Sequence, residues 1–270
     1  MAATEPRGQC AGMLFTDTPG LLDLDVVAGI TDPGGHRDHN EDAIAVGTLG
    51  PAAAAVVCDG VASSPGSGVA AAVAAEAGLR TLLAAVARGE EPVAAITAGM
   101  VAAAEVAAAV TAPDPDDPPG CTYVSALVDD TGVTVGWVGD SPAYWADPTG
   151  TRRLTVDDTP AGGLLADGAT PDDPRLSDPA AHALARWLGA DAGDAPPHVH
   201  RFVPDGPGLV VLCSDGLSRY LDAGLIAPVD HQGTPADTAR TLLDSALAAG
   251  GHDNVTVAVI AASIPGEAAG

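Results

Sequence analysis

The chain has 270 residues, 47% of them hydrophobic and only 3% aromatic. That composition excludes general disorder and predicts one large domain with an aliphatic core. Its net charge is −25, from 36 acidic and 11 basic residues, all of the latter Arg; a field of this sign repels nucleic-acid phosphates and anionic membrane surfaces. Lys-free, Ala- and Pro-rich usage fits a GC-rich bacterial genome, with salt adaptation as the competing source of the acidity. Cysteines 10, 58, 121 and 213 lie far apart without a CxxC pair. They are expected to be free thiols in a reducing cytoplasm. The start, MAATEPRGQC, has no signal-peptide pattern. With no coiled coil, basic tail or amphipathic anchor, a cytoplasmic monomer is expected.

Residues 1–20 read as a flexible lead. LDLDVVAGITD and AIAVGTL read as strands around the polar loop GGHRDHNED, and AAAAVVCDG as a strand that ends at Asp59–Gly60. Two Ala-rich helices follow at 66–87 and 92–110, separated by Gly89 and Pro92. The second is Ala-dominated and carries Glu105, so it reads as a packed helix and not a membrane span. After the Pro/Asp-rich APDPDDPPG, residues 121–147 read as a β-meander turning at Asp130–Thr131–Gly132. Residues 157–180 are polar with little periodicity, as in a surface flap. AAHALARWLG is expected to be helical, GLVVLCSDG a strand, 236–249 a helix and NVTVAVIAA a closing strand. Helices and strands do not alternate. The order predicts an α+β fold of mostly antiparallel sheets with helices outside.

Two strands end in Asp–Gly, at Asp59–Gly60 and Asp215–Gly216; Asp253 precedes Asn254 before the last strand, and Glu41–Asp42 follow Asn40. Each alone is an ordinary turn signal. Gathered together, these carboxylates would repel one another unless divalent cations relieved the charge. All-oxygen donors suit Mg²⁺ or Mn²⁺ better than zinc, and the seven His residues form no HxxxH or HExxH pattern.

GGHRDHNEDA, VVCDG, GCTYVSAL, VGWVGDSPAYW, LVVLCSDGL and GGHDNVTV stand in the order and at roughly the spacing of the type 2C (PPM) protein serine/threonine phosphatases, over about residues 27–260. The chain resembles that family. The resemblance implies a four-layer α-β-β-α sandwich and a catalytic domain at 21–263, its flap near 157–180. It implies hydrolysis of phosphoserine and phosphothreonine on proteins by a water activated between two Mn²⁺ or Mg²⁺ ions. Asp59 would bridge the ions and the Gly60 carbonyl would ligate one. Asp215 and Asp253 would complete the other, with Glu41 and Asp42 acting through waters. Asp117 matches the position of an acid that can hold a third, weaker ion, and Asp114 and Asp116 compete for it. Arg37, four residues before Glu41, matches the phosphate-binding arginine, whose planar fork can hold two phosphate oxygens. Partners would be phosphoproteins, including a Ser/Thr kinase or its targets.

Val61–Ala62–Ser63 replaces the family's (His or Met)–Gly–Gly, so the His that some relatives offer as a general acid is absent. Gly139–Asp140–Ser141–Pro142 replaces Gly–Asp–Ser–Arg. His36, His39 and His252 are expected to be loop residues and not ligands. Two alternatives remain at this level: a non-catalytic phosphoprotein-binding member of the same fold, and a small-metabolite phosphatase.

Overall fold

A computed structural model describes residues 10–14, 16–61, 65–112, 114, 116–193 and 196–262. In chain order the strands before the first helix are β1 (Cys10–Leu14), β2 (Gly20–Asp23), β3 (Val27–Asp32), β4 (Asp42–Leu49) and β5 (Ala52–Asp59). Helices α1 (Ser67–Ala87) and α2 (Pro92–Ala108) come next. Then follow β6 (Gly120–Cys121), β7 (Tyr123–Asp129), β8 (Gly132–Val138), β9 (Ala143–Asp147) and β10 (Gly150–Arg153). Residues 157–182 hold α3 (Pro160–Ala166) and two 3-10 turns, Pro174–Ser177 and Pro179–His182. The chain finishes with β11 (Leu188–Gly189), β12 (His198–Phe202), β13 (Gly208–Cys213), α4 (Asp215–Asp222), α5 (Pro235–Ala248) and β14 (Val255–Ala262).

Two six-stranded sheets form, ordered β1-β4-β5-β7-β8-β12 and β10-β9-β13-β14-β3-β2, with the pair β11-β6 beside them. Every pairing is antiparallel. The central strands are largely buried on both faces, and their period of two sorts each of them between two cores. In β5, Ala53, Ala55 and Val57 face the other sheet, while Ala54, Val56 and Cys58 face α1 and α2. In β14, Ala258 and Ile260 join the inter-sheet core, while Val255, Val257 and Val259 pack under α4 and α5. The result is the α-β-β-α order expected.

Small residues let α1 and α2 lie close together. A Cβ on Gly99 would stand 2.8 Å from the Gly78 carbonyl, and one on Gly78 would stand 2.6 Å from the Tyr123 hydroxyl. By length and apolarity α1 could cross a membrane. In the fold its buried face, from Ala70 to Ala85, belongs to the same core as Ala43, Val56 and Met100. Cys58, Cys121 and Cys213 are buried free thiols, as expected.

Two expectations fail. Residues 10–14 are not a flexible lead, because Cys10–Leu14 pairs with Ile44–Thr48 as the edge strand of the first sheet, and β2 already begins at Gly20; residues 1–9 and 15 lie outside the described residues. AAHALARWLG is not a helix. It runs from a 3-10 turn into extended chain, because Leu188–Gly189 pairs with Cys121–Gly120 and the Trp187 indole N–H donates to Asp191 Oδ1 at 2.9 Å.

A carboxylate cleft at the strand ends

β4 and β5 put Asp42 and Asp59 opposite each other at their shared end. The chain then crosses close to its neighbours. A Cβ on Gly60 would lie 2.8 Å from the Glu41 carbonyl, so the glycine is required by packing. Thr122 holds the end of β5 from both sides, its N–H on the Asp59 carbonyl at 2.8 Å and its hydroxyl oxygen accepting the Asp59 N–H at 3.1 Å. In the second sheet β13 passes through Ser214 into α4, so Asp215 stands in a helix first turn, where a carboxylate is favoured. A Cβ on Gly216 would stand 1.9 Å from the Asn254 carbonyl, and one on Gly34 would stand 2.1 Å from that of Asp253. Asn254 locks the remaining loop. Its side-chain N–H groups donate to the Pro33 and His39 carbonyls, each at 2.9 Å, and its Oδ1 accepts the Glu41 N–H at 2.9 Å.

These joints gather residues from both sheets around a cleft of about 210 Å³, lined by Arg37, Glu41, Asp59, Gly60, Asp215 and Asp253, with Val61, Thr122, Asp140, Leu184 and Asn254. Six of the predicted site residues therefore meet. Asp42 sits behind them. It is buried, it accepts the Ser214 hydroxyl on Oδ2 at 2.7 Å, and its Oδ1 has no hydrogen-bond partner among the described residues. Asp117 is not among the lining residues. Its N–H donates to the Asp114 carbonyl, within the segment before β6. Asp140, which carried no role in the sequence reading, lines the cleft instead; the Gly–Asp–Ser segment that contains it was the available signal. Val61 lines the cleft, and Ala62 and Ser63 lie outside the described residues. His36, His39 and His252 lie on exposed loop positions, as expected.

Burial and mutual repulsion dominate the electrostatics. Burial, then the charges of Asp42, Asp215, Asp140 and Asp253, push the Asp59 carboxyl well above the usual range. Burial raises Asp42 to about 7, partly opposed by its bond from Ser214. Burial and Asp215 raise Asp140 to about 7. Asp215 is raised by burial and held back by Arg219, which donates to its Oδ2 at 2.6 Å from one turn along α4. Arg37 donates to Asp253 Oδ2 at 2.8 Å. Among the described residues no three His, Cys, Asp or Glu side chains already form a closed cation cage. The donors nonetheless fit a hard divalent ion in kind: oxygen only, repelling one another, with one buried carboxylate oxygen unpartnered.

A two-sheet sandwich with carboxylates gathered at its strand ends defines the class of protein. A family profile described as protein phosphatase 2C matches residues 36–249, and the chain belongs to that family. The serine/threonine phosphatase stp of Listeria innocua is 28% identical over 144 residues, which span 52% of this chain and 56% of that relative's length. Among solved structures, the PPM Ser-Thr phosphatase MsPP from Mycobacterium smegmatis, in complex with cacodylate, is 29% identical with a TM-score of 0.65; the match covers 87% of this chain and 97% of that one. The catalytic domain of serine threonine protein phosphatase PstP, in complex with two manganese ions, is 26% identical with a TM-score of 0.61, covering 91% and 100%.

Proposed function

We propose that the protein hydrolyses phosphoserine and phosphothreonine on proteins, using two divalent ions held in the carboxylate cleft. The observation that carries this reading is the convergence of Asp59, Asp215, Asp253 and Glu41 in one cleft, where their charges have few cationic partners. Asp59, the Gly60 carbonyl, Asp215 and Asp253 would hold the ions, with Glu41 and Asp140 on the rim. When bound, such ions supply an activated water near neutral pH and offset charge on the phosphoryl oxygens. Arg37 then has a second task. Released from Asp253, its guanidinium is placed to take two phosphate oxygens and so orient the ester. Asn254 and Thr122 keep the carboxylates in register by fixing the backbone on either side of them. Residues 21–263 would form the catalytic domain, with the flap at 157–180 bordering the substrate.

Turnover of p-nitrophenyl phosphate and of a phosphothreonine peptide with Mn²⁺ tests the reading. Activity lost to a chelator and restored by Mn²⁺ is expected; no activity above a metal-free control at any metal concentration would sink it. The ion pairs Arg37–Asp253 and Arg219–Asp215 favour one other reading, because they offset two of the carboxylates without a metal ion. A non-catalytic phosphoprotein-binding protein would keep those pairs and bind phosphopeptide with a metal stoichiometry near zero.

A further inference from the structure

Beside the cleft lies a second hollow, of about 340 Å³, between α2, the end of β8 and the strip that carries β11. Met100, Val101, Ala104, Val138, Trp187 and Leu188 form most of its wall. Among the described residues no carboxylate lines this hollow. The charged residue among its described lining residues is Arg186, whose Nη1 lies 3.2 Å from Asp158 Oδ1 and whose Nη2 donates to the Pro196 carbonyl at 2.6 Å. Val101 is 49% exposed, an aliphatic side chain open to water. Trp, Met and Arg, all three in the wall of this depression, are residue types that anchor protein contacts.

Two separate joints connect this hollow to the cleft. Leu184 lines the cleft, and the next residue, Ala185, lines the hollow. On the other side, cleft-lining Val61 donates its N–H to the Gly120 carbonyl at 2.9 Å, and Gly120 pairs with Gly189 in the hollow's wall. Cleft and hollow are thus walled by consecutive residues of one strip and by hydrogen-bonded neighbours of another.

We propose that the hollow is a specificity subsite that takes an apolar side chain of the substrate, a few residues from the phosphorylated Ser or Thr. The proposal rests on the hydrolase reading above and adds the feature of the substrate that is read. An apolar side chain gains by leaving water there. An acidic residue would lose its hydration without finding a cation, because Arg186 is already engaged by Asp158.

The test compares phosphothreonine peptides that differ only at one flanking position, Leu, Gly or Asp, stepped through the two to four residues on each side. Burial of a leucine predicts a kcat/KM advantage of about tenfold or more for Leu over Gly at one position, with Asp the poorest. Val101→Asp puts a carboxylate on the rim and Ala104→Phe fills the space; either should erase the Leu advantage and leave p-nitrophenyl phosphate turnover unchanged. Binding of non-hydrolysable phosphonate peptides to the full chain, followed by calorimetry, gives a second readout independent of turnover. Turnover with equal values for Leu, Gly and Asp peptides, or a Leu advantage that survives both substitutions, would overturn the subsite. Selective binding of the Leu phosphonate with no turnover would keep the subsite and overturn the hydrolase reading instead.

Discussion

Asp59–Gly60 and Asp215–Gly216 are the same dipeptide at the end of an apolar strand, and the fold gives them different electrostatic settings. Asp59 closes β5, faces Asp42 across the ladder, and forms no ion pair with an arginine among the described residues. Asp215 opens α4, where the helix first turn favours its charge and Arg219 lies one turn away. The glycines differ as well. Gly60 makes room for the Glu41 carbonyl, whereas Gly216 makes room for the backbone of Asn254 at a far shorter approach. A motif seen twice in a sequence is therefore not one device used twice. The first Asp is held at high cost among other carboxylates, and the second is partly neutralised already.

The contrast can be broken by substitution. Asp59→Asn should abolish Mn²⁺-dependent turnover of p-nitrophenyl phosphate and remove at least one bound ion by calorimetry; near-wild-type turnover would refute the bridging role. Gly216→Ala should cost about 3 kcal/mol or more of stability by denaturant titration, since a methyl group meets backbone that cannot step aside. Gly60→Ala, tighter against a loop than is comfortable but less extreme, should cost less than Gly216→Ala. A reversed order would show that the two glycine sites had been weighed wrongly.

Smaller effects should sharpen the comparison. Asp140 is raised to about 7 in the fold against about 3.9 when unfolded. The folded state therefore binds the extra proton between those values, and the metal-free protein loses stability as pH rises from about 4 to 7. Asp140→Asn should raise the Tm of the metal-free protein at pH 8 and leave it unchanged at pH 4; equal shifts at both pH values would contradict the repulsion. Arg219→Gln should tighten Mn²⁺ binding about twofold, because a partly exposed i,i+4 pair that competes for Asp215 contributes only about 0.3–0.5 kcal/mol. Weaker binding in that variant would make Arg219 a support for the site and not a competitor.

Most of the sandwich was legible because its strands are long aliphatic runs and its two large helices are Ala-rich, signals set by local propensity. The failures have local causes. AAHALARWLG has helical composition, but its Leu188, Trp187 and Arg186 find partners in β6, Asp191 and Asp158, and tertiary contacts override propensity. β1 is five residues long with a glycine in the middle, and β12 is HVHRF, an edge strand with two His, so neither announces itself. α4 went unread because Asp215–Gly216 looked like a turn, although Leu217 and Tyr220 already marked a buried helix face. At the site, the acids could be listed from motifs. Their distances could not: Asp42 withdraws behind Ser214, Asp140 comes forward, and Asp117 stays away. Those outcomes depend on which side of each strand faces the cleft.

Asn254 ties together two parts of the chain that are more than two hundred positions apart, bonding Pro33, His39 and Glu41 from just before the last strand. Contacts of such separation are slow to close and offer nothing to a partly made chain. During synthesis the first five strands and both Ala-rich helices leave the ribosome long before residue 254. The cleft's left and right walls cannot be joined until then. A nascent chain therefore carries its carboxylates apart, and the carboxylate cleft is assembled among the last events of its biogenesis.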